Sequence, residues 1–210
     1  MNKGQERVLV KICGITNLSD AEASISYGAD ALGFIFSKKS PRFIEPDEIK
    51  KIVARLPPFI STVGVFTEGT KKEISDAVCQ CHLSMVQFHG PFLPDVIEAF
   101  APSAIQVVFT KEVRELVPSL RAYMLDKSHG GLGWERFDAV KKLGRIILAG
   151  GLTPENVQET IAKLNPYGVD VCSGVEREKG KKDQMKLKQF IERAKQAQTT
   201  PNLSLAKEGN

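Results

Sequence analysis

Several features that would place the chain in other classes of protein are missing from its 210 residues. The N-terminal stretch MNKGQERVLV contains no apolar run long enough for a signal peptide or a membrane span, so we expect a cytoplasmic protein. The net charge is only +4, and no basic stripe with interleaved aromatic residues is present, which argues against a nucleic-acid partner. Hydrophobic residues make up 42% and charged residues 26%, as in an ordinary globular protein with a sizeable core.

Cysteine is scarce, and its spacing does not predict a metal site. The four residues are Cys13, Cys79, Cys81 and Cys172. Cys79 and Cys81 are separated by one residue, too close for a zinc-ribbon pair, and no second pair follows at metal-ligand spacing. We therefore predict no metal and free thiols, as is usual in the cytosol.

Eight short apolar runs predict β-strands. They are VLVKIC (8–13), DALGFIF (30–36), STVGVF (61–66), SMVQFH (84–89), AIQVVF (104–109), AYMLD (122–126), RIILAG (145–150) and VDVCS (169–173). Apolar residues repeat at helical spacing in four segments between or after them, beginning at Leu18, Ile49, Leu93 and Leu187. Thr153-Pro154 has the composition of a further helix start, whereas the segments after strands five and six give weaker helix signals.

Strands that alternate with helices indicate βαβ units and a parallel sheet. Eight such units in about 200 residues favour a single-domain (β/α)8 TIM barrel in the α/β class. An open doubly wound sheet is the alternative, but ICGITN follows the first strand where a nucleotide-binding GxGxxG would stand. We assign residues 1–196 to the barrel and 197–210 to a loose polar tail.

Two glycine turns predict a phosphate site, because active sites of these barrels lie at the carboxyl ends of the strands. AGGLTPENV (149–157) follows strand seven, and CSGVE (172–176) follows strand eight. Glycine lets backbone N–H groups approach an anion closely, although either turn alone could simply be a tight connection. A third loop, SHGGLGW (128–134), lies beside them. The candidate phosphate-binding residues are Gly131, Gly150, Gly151, Cys172, Ser173 and Gly174.

Cys13 and Asp126 end strands one and six, on the face where chemistry is expected. A carboxyl group at the rim of an apolar interior can act as a general acid, and a thiol near a cation can ionise near neutral pH. The alternatives are a helix cap for Asp126 and a small buried hydrophobe for Cys13. Because side chains alternate along a strand, Lys11 shares the inward face of Cys13, and we predict that it pairs with Asp170 below the site.

Arg42 and His89 are candidate substrate-binding residues. Arg42 follows strand two in KKSPRFI and could bind a carboxylate with two hydrogen bonds, although a solvated arginine is the commoner case. His89 ends strand four and either contacts substrate or bonds a neighbouring carbonyl group. We expect the basic run 177–188 to be a helix start and a solvated helix face.

Seven motifs in one order resemble those of the phosphoribosylanthranilate isomerase family, over about residues 8–194. They are VKICGIT, GADALGFIF with SPR behind it, VGVF, VQFHG, MLD followed by GGLGWERFDA, LAGGLTPENV and GVDVCSGVE. The resemblance implies a cofactor-free Amadori rearrangement in tryptophan biosynthesis, with a phosphorylated small molecule as substrate. It further implies that Cys13 is the general base, that Asp126 is the general acid and that Arg42 lies near the anthranilate carboxylate. A monomer and a homodimer both remain open.

Three positions depart from the family pattern. Cys172 stands where serine is common, and Leu132 and Trp134 occupy a loop where smaller or polar residues are usual. Two other functions remain as alternatives. One is a different phosphate-binding barrel enzyme, such as an epimerase or an indole-glycerol-phosphate synthase, whose metal-binding histidines or catalytic lysines and glutamates we do not find at strand ends. The other is a non-catalytic barrel that binds a phosphorylated ligand.

Overall fold

The computed structural model describes residues 7–108, 116–120, 122–128 and 134–197. Within these ranges eight parallel strands close into one barrel in chain order, with β8 paired to β1. The strands are β1 (Leu9–Ile12), β2 (Ala31–Ile35), β3 (Ser61–Phe66), β4 (Met85–Phe88), β5 (Ala104–Val107), β6 (Ala122–Asp126), β7 (Arg145–Ala149) and β8 (Gly168–Val171). The predicted (β/α)8 barrel is confirmed, and the open sheet is excluded.

The helices connect successive strands or follow β8. They are α1 (Leu18–Ser26), α2 (Pro46–Val53), α3 (Lys71–Cys81), α4 (Pro94–Glu98), α5 (Phe137–Val140), α6 (Val157–Leu164) and α7 (Gln184–Gln196). The four segments predicted from apolar spacing are all helical. Helix α6 starts three residues after Pro154, because Thr153 and Asn156 first close a turn: the Thr153 N–H donates to Asn156 Oδ1 at 2.9 Å.

Helix α3 is not predicted from the sequence, although its start carries a recognisable signal. Thr70 and Glu73 form a capping box, in which the Thr70 N–H donates to the Glu73 carboxylate at 2.7 Å and the Glu73 N–H donates to Thr70 Oγ1 at 3.3 Å. Only Ile74 and Cys81 are buried on this helix, so its apolar face is narrow and its periodicity weak.

The core has two layers. Between the strands and the helices lies a large apolar cluster that includes Ile12, Phe34 and Phe88, each fully buried and each worth roughly 1.5–3 kcal/mol of transfer free energy. Inside the barrel a smaller apolar cluster comes from β3, β5, β6 and β7. The side of the interior formed by β1 and β8 instead carries a buried ion pair, Lys11 with Asp170. The barrel interior is therefore apolar on one side and charged on the other.

The basic run after β8 differs from the prediction. Residues Glu176–Glu178 and Lys181–Lys182 form a short antiparallel hairpin, β9 and β10, and helix α7 begins only at Gln184. Lys182 is 1% exposed, because the hairpin folds back against the ends of β1 and β8. The expectation of a solvated helix start is therefore wrong for this part of the run. Among the described residues, no helix is long and apolar enough to cross a membrane.

Candidate active site

A pocket of about 1070 Å³ opens at the carboxyl ends of the strands. It brings together the predicted site residues that the structure describes: Cys13, Arg42, His89, Asp126, Gly150, Gly151, Cys172, Ser173 and Gly174. Gly131 and Leu132 lie outside the described residues. Parallel strands in a closed barrel end at one rim, so residues distant in the chain converge there.

Cys13 lies at the tip of β1 and is 6% exposed. Its N–H donates to the carbonyl group of Val171 at 2.8 Å, which continues the β1–β8 pairing to the rim. A hydrogen bond from the Cys172 thiol and the charge on Lys11 lower the pKa of the Cys13 thiol to about 7, although burial opposes the shift. A thiol with this pKa is partly ionised at neutral pH and can accept a proton.

Lys11 and Asp170 form the predicted ion pair directly below Cys13, with Nζ 2.9 Å from Oδ1. Both side chains are buried. Burial acts to lower the pKa of the Lys11 ammonium, but the charges of Asp170 and Cys13 and the hydrogen bond to Asp170 together raise it. Lys11 Nζ and Cys13 Sγ both lie beside Gly33, about 3 Å from the position that a β carbon there would occupy. The pair therefore places a permanent positive charge beside the candidate base.

Cys172 lies opposite Cys13 on the neighbouring strand end. Its hydrogen bond to Cys13 and its burial raise the pKa of the Cys172 thiol, so Cys13 is the member of the pair that ionises. The ammonium group of Lys182 donates to the carbonyl oxygens of Cys13 and Cys172, at 2.6 and 3.2 Å. These bonds hold the ends of β1 and β8 together.

Asp126 ends β6 and is 5% exposed. Its Oδ1 accepts hydrogen bonds from the Ser128 N–H at 2.8 Å and from the Ser128 hydroxyl at 2.6 Å. Its Oδ2 faces Nε2 of His89 at 3.7 Å, which is longer than a direct hydrogen bond. These contacts fix the orientation of the carboxyl group at the pocket wall.

Arg42 has a partner that the sequence did not indicate. Its Nε and Nη2 donate to the two carboxylate oxygens of Glu176 at 2.8 and 2.7 Å. These hydrogen bonds raise the pKa of the Arg42 guanidinium. Burial acts to raise the pKa of Glu176, but the hydrogen bonds from Arg42 and the charge of Lys182 lower it overall. The alternative of a solvated arginine is thus wrong. Glu176 holds the Nε–Nη2 edge of the guanidinium group, and these two hydrogen bonds also fix the direction in which Nη1 points.

The glycine turns pack against each other and against the loop of Asp126. Gly150 and Gly151 have φ of 78° and 73°, in the left-handed region that favours glycine. A β carbon on Gly150 would lie 2.3 Å from Asp126 Oδ1, and one on Gly174 would lie 1.9 Å from the carbonyl oxygen of Leu152. At Gly151 nothing lies within 4 Å of that position. Two of these glycines are therefore required by close contacts, while Gly151 faces open space in the pocket.

Gln87 is a pocket residue that the sequence analysis does not single out. It lies on β4 and is 1% exposed. Its Nε2 contacts Met124 Sδ at 3.4 Å, and its Oε1 has no hydrogen-bond partner among the described residues. A buried polar atom without a partner costs about 1–3 kcal/mol, which suggests a ligand-facing role. The alternation of side chains along β4 could have predicted that Gln87 points into the barrel. No sequence pattern could have predicted that its Oε1 lacks a hydrogen-bond partner among the described residues.

Within the described ranges, no group of three or more histidine, cysteine, aspartate or glutamate side chains could hold a metal ion. The site instead combines an ionisable thiol, a carboxyl group, an anchored guanidinium and glycine turns. This set can bind an anion and transfer protons across a bound small molecule.

Comparison with known proteins gives one consistent result. Residues 10–193 match the family model described as N-(5'-phosphoribosyl)anthranilate (PRA) isomerase. The N-(5'-phosphoribosyl)anthranilate isomerase of Geobacter sulfurreducens is 42% identical over 200 residues, which cover 90% of this chain and 98% of that protein. A relative from Citrifermentans bemidjiense with the same name is 43% identical, over 89% of this chain and 96% of that protein.

Solved structures agree with the sequence comparison. The phosphoribosyl anthranilate isomerase of Thermotoga maritima superposes with a TM-score of 0.81 at 37% identity, covering 90% of this chain and 99% of that one. A phosphoribosyl anthranilate isomerase in complex with reduced 1-(o-carboxyphenylamino)-1-deoxyribulose 5-phosphate gives a TM-score of 0.80 at 38% identity, with the same coverage.

Proposed function

The chain belongs to the N-(5'-phosphoribosyl)anthranilate isomerase family, and from that premise we propose which of its residues perform the reaction. The enzyme converts N-(5-phosphoribosyl)anthranilate into 1-(2-carboxyphenylamino)-1-deoxyribulose 5-phosphate, a step of tryptophan biosynthesis. The observation that carries the assignment is that Cys13 and Asp126, from opposite sides of the barrel, line one pocket.

Asp126 is the general acid in this proposal. It delivers a proton to the ring oxygen of the ribose, so that the ring opens and the anthranilate nitrogen forms a protonated Schiff base with the first ribose carbon. Its orientation supports the role, because Ser128 holds Oδ1 while Oδ2 lies on the side of His89. His89 is proposed to contact the substrate.

Cys13 is the general base. Its thiolate removes the proton from the second ribose carbon, and the electron pair of that C–H bond neutralises the Schiff base to give an enolamine. The enolamine then tautomerises to the ketose. A thiol pKa of about 7 suits a base that works near neutral pH, since much of it is ionised and it still binds a proton. These steps move only protons, so no cofactor is assigned to them.

Arg42 is proposed to bind the carboxylate of the anthranilate ring. Glu176 occupies two of its N–H groups, which leaves the Nη1 edge for the substrate and reduces the entropy lost when it binds. A guanidinium held in this way positions a planar carboxylate better than a mobile one.

The phosphate is proposed to lie against the turns after β7 and β8, at Gly150, Gly151, Cys172, Ser173 and Gly174. Close packing of these turns keeps their backbone in place, and the open space at Gly151 leaves room for a phosphate oxygen. Binding energy from the phosphate then orients the reacting carbons between the acid and the base.

We further propose that the enzyme acts in the cytoplasm, which agrees with four cysteines that are all free thiols. A solved relative from Thermotoga maritima is described as dimeric. For this chain a monomer and a homodimer both remain compatible with the proposed site, because the named residues come from one chain.

The test is turnover of freshly generated phosphoribosylanthranilate, followed by the change in its fluorescence. Cys13→Ala and Asp126→Asn should each lose several orders of magnitude in kcat while still binding product. Cys79→Ala and Asp138→Asn are matched controls at exposed positions and should keep wild-type rates. Tight product binding without turnover in the wild-type protein would instead favour the non-catalytic phosphate-binding barrel.

A further inference from the structure

Cys13 and Cys172 place two thiols side by side in the pocket wall. Lys11 and Asp170 are register partners in the β1–β8 pair, and Cys13 and Cys172 are the next inward-facing positions along the two strands. Neighbouring strands lie about 4.8 Å apart, within the Cα separations of about 4.4–6.8 Å that disulfides span.

The backbone around this thiol pair is held in place. Lys182 binds the carbonyl oxygens of both residues, and the Cys13 N–H binds the carbonyl group of Val171 at 2.8 Å. Rotation of the two side chains would therefore bring the sulfur atoms together without separating the strands. The other cysteines lie on α3: Cys79 is exposed, and the thiol of Cys81 donates to the carbonyl oxygen of Pro46 at 3.4 Å.

We propose that Cys13 and Cys172 form a reversible disulfide when the enzyme meets hydrogen peroxide, and that this bond switches the enzyme off. Both thiols line the open pocket, so a small oxidant can reach them. Cys13 is the residue that reacts first, because a lowered thiol pKa and a neighbouring ammonium group favour the nucleophilic thiolate.

The chemistry takes place in two balanced steps. The Cys13 thiolate attacks one oxygen of peroxide, the O–O bond breaks, and sulfenic acid and hydroxide form. The Cys172 sulfur then attacks the Cys13 sulfur, the S–O bond breaks and water leaves. In total two thiols lose two electrons and two protons, and one peroxide becomes two waters. A dithiol reductant reverses the change.

The disulfide would have two consequences. When the Cys13 sulfur is bonded to Cys172, it is no longer a thiolate and cannot accept the substrate proton, so turnover stops. This consequence rests on the proposed role of Cys13. Capture of the sulfenic acid by Cys172 also prevents further oxidation to sulfinic acid, which dithiols do not reduce.

The bond can be tested by peptide mapping of peroxide-treated enzyme, alkylated and digested with trypsin without reduction. Cleavage after lysine and arginine puts Cys13 in peptide 12–38, Cys172 in peptide 164–177 and the remaining cysteines in peptide 73–111. The wild-type enzyme should yield 12–38 joined to 164–177, lose its turnover, and regain it with dithiothreitol. Cys79→Ser, the matched control, should behave in the same way.

The variant Cys172→Ser tests whether Cys172 protects Cys13 from irreversible oxidation. Relative to its own activity before treatment, this variant should lose turnover with no joined peptide, and dithiothreitol should fail to restore it because Cys13 has reached sulfinic acid. A wild-type enzyme with Cys13 as sulfinic acid and Cys172 free would overturn the proposal, as would a joined peptide in fully active enzyme. The joined peptide is detected by mass, so a failure of the isomerase assignment would be seen separately, as missing turnover before any peroxide is added.

Discussion

The charge on Lys11 is one of the causes that lower the pKa of the Cys13 thiol, and removing that charge tests the proposed role of the thiol. Lys11 Nζ and Cys13 Sγ each lie within 3.0 Å of the position that a β carbon on Gly33 would occupy. The two atoms are thus at most about 6 Å apart, where unit charges interact by about 3 kcal/mol at an effective dielectric constant of about 20.

That energy corresponds to about 2 pKa units. Lys11→Met should therefore raise the pKa of the Cys13 thiol from about 7 to about 9. At pH 7 the ionised fraction would fall from about half to about 1%, a loss of about 50-fold in kcat/KM that is recovered near pH 10. The unpaired Asp170 would also destabilise the fold by about 3–5 kcal/mol, so stability has to be measured alongside.

Asp170→Asn is the matched comparison for Lys11→Met, because the negative charge of Asp170 acts on the pKa of Cys13 in the opposite direction to the charge of Lys11. Removing the carboxylate should lower the pKa of the thiol, since Asp170 raises it and Lys11 remains. The double variant Lys11→Met/Asp170→Asn removes both charges and leaves no unpaired ion, so it should fold even if the single variant does not. Because Lys11 has the larger effect on Cys13, this variant should still shift the pKa upward, though less than Lys11→Met alone.

Two assays report the shift independently. The first is the pH dependence of Cys13 alkylation by iodoacetamide, followed by mass, with the exposed Cys79 as internal standard. The second is the pH profile of kcat/KM. Lys11→Met and Asp170→Asn must move both midpoints in opposite directions; equal midpoints in all variants, or shifts of one sign, would refute the electrostatic account.

Three further predictions concern other parts of the site. Gly150→Ala should lose at least about 100-fold in kcat by displacing the nearby carboxylate. Gly151→Ala, with a similar φ but open space, should lose stability in a thermal melt and raise KM, because its β carbon takes room proposed for a phosphate oxygen, while kcat changes little; equal kcat losses in the two variants would contradict this. Glu176→Gln should raise KM about tenfold with little change in kcat, because Arg42 loses its anchor; steady-state kinetics that show only a kcat loss would rule this out. Gln87→Leu should raise the free energy of unfolding by about 1 kcal/mol, because it removes a buried oxygen atom without a hydrogen-bond partner, and it should lower kcat/KM. Loss of stability in a denaturant titration would show instead that Oε1 is hydrogen-bonded in the wild-type protein.

Much of the site could be predicted from the sequence because it depends on strand ends. Cys13, His89 and Asp126 each close an apolar run, and a parallel barrel brings such ends to one rim. The Lys11–Asp170 pair was also predictable, since both residues share the inward face of adjacent closing strands. The phosphate contacts, including that of Gly131, stay predictions.

The sequence by itself determined the order of the strands, the closed barrel and the rim positions of Asp126 and Cys13, the proposed acid and base, because these follow from local periodicity and from the geometry of parallel strands. Only the tertiary structure decided which charges meet. Arg42 and Glu176 are 134 residues apart in the chain, and Lys182, in a run whose sequence predicts a solvated helix face, is buried by the β9–β10 hairpin. Such contacts depend on how a loop folds back over the closed barrel, and no local pattern of side chains encodes that path.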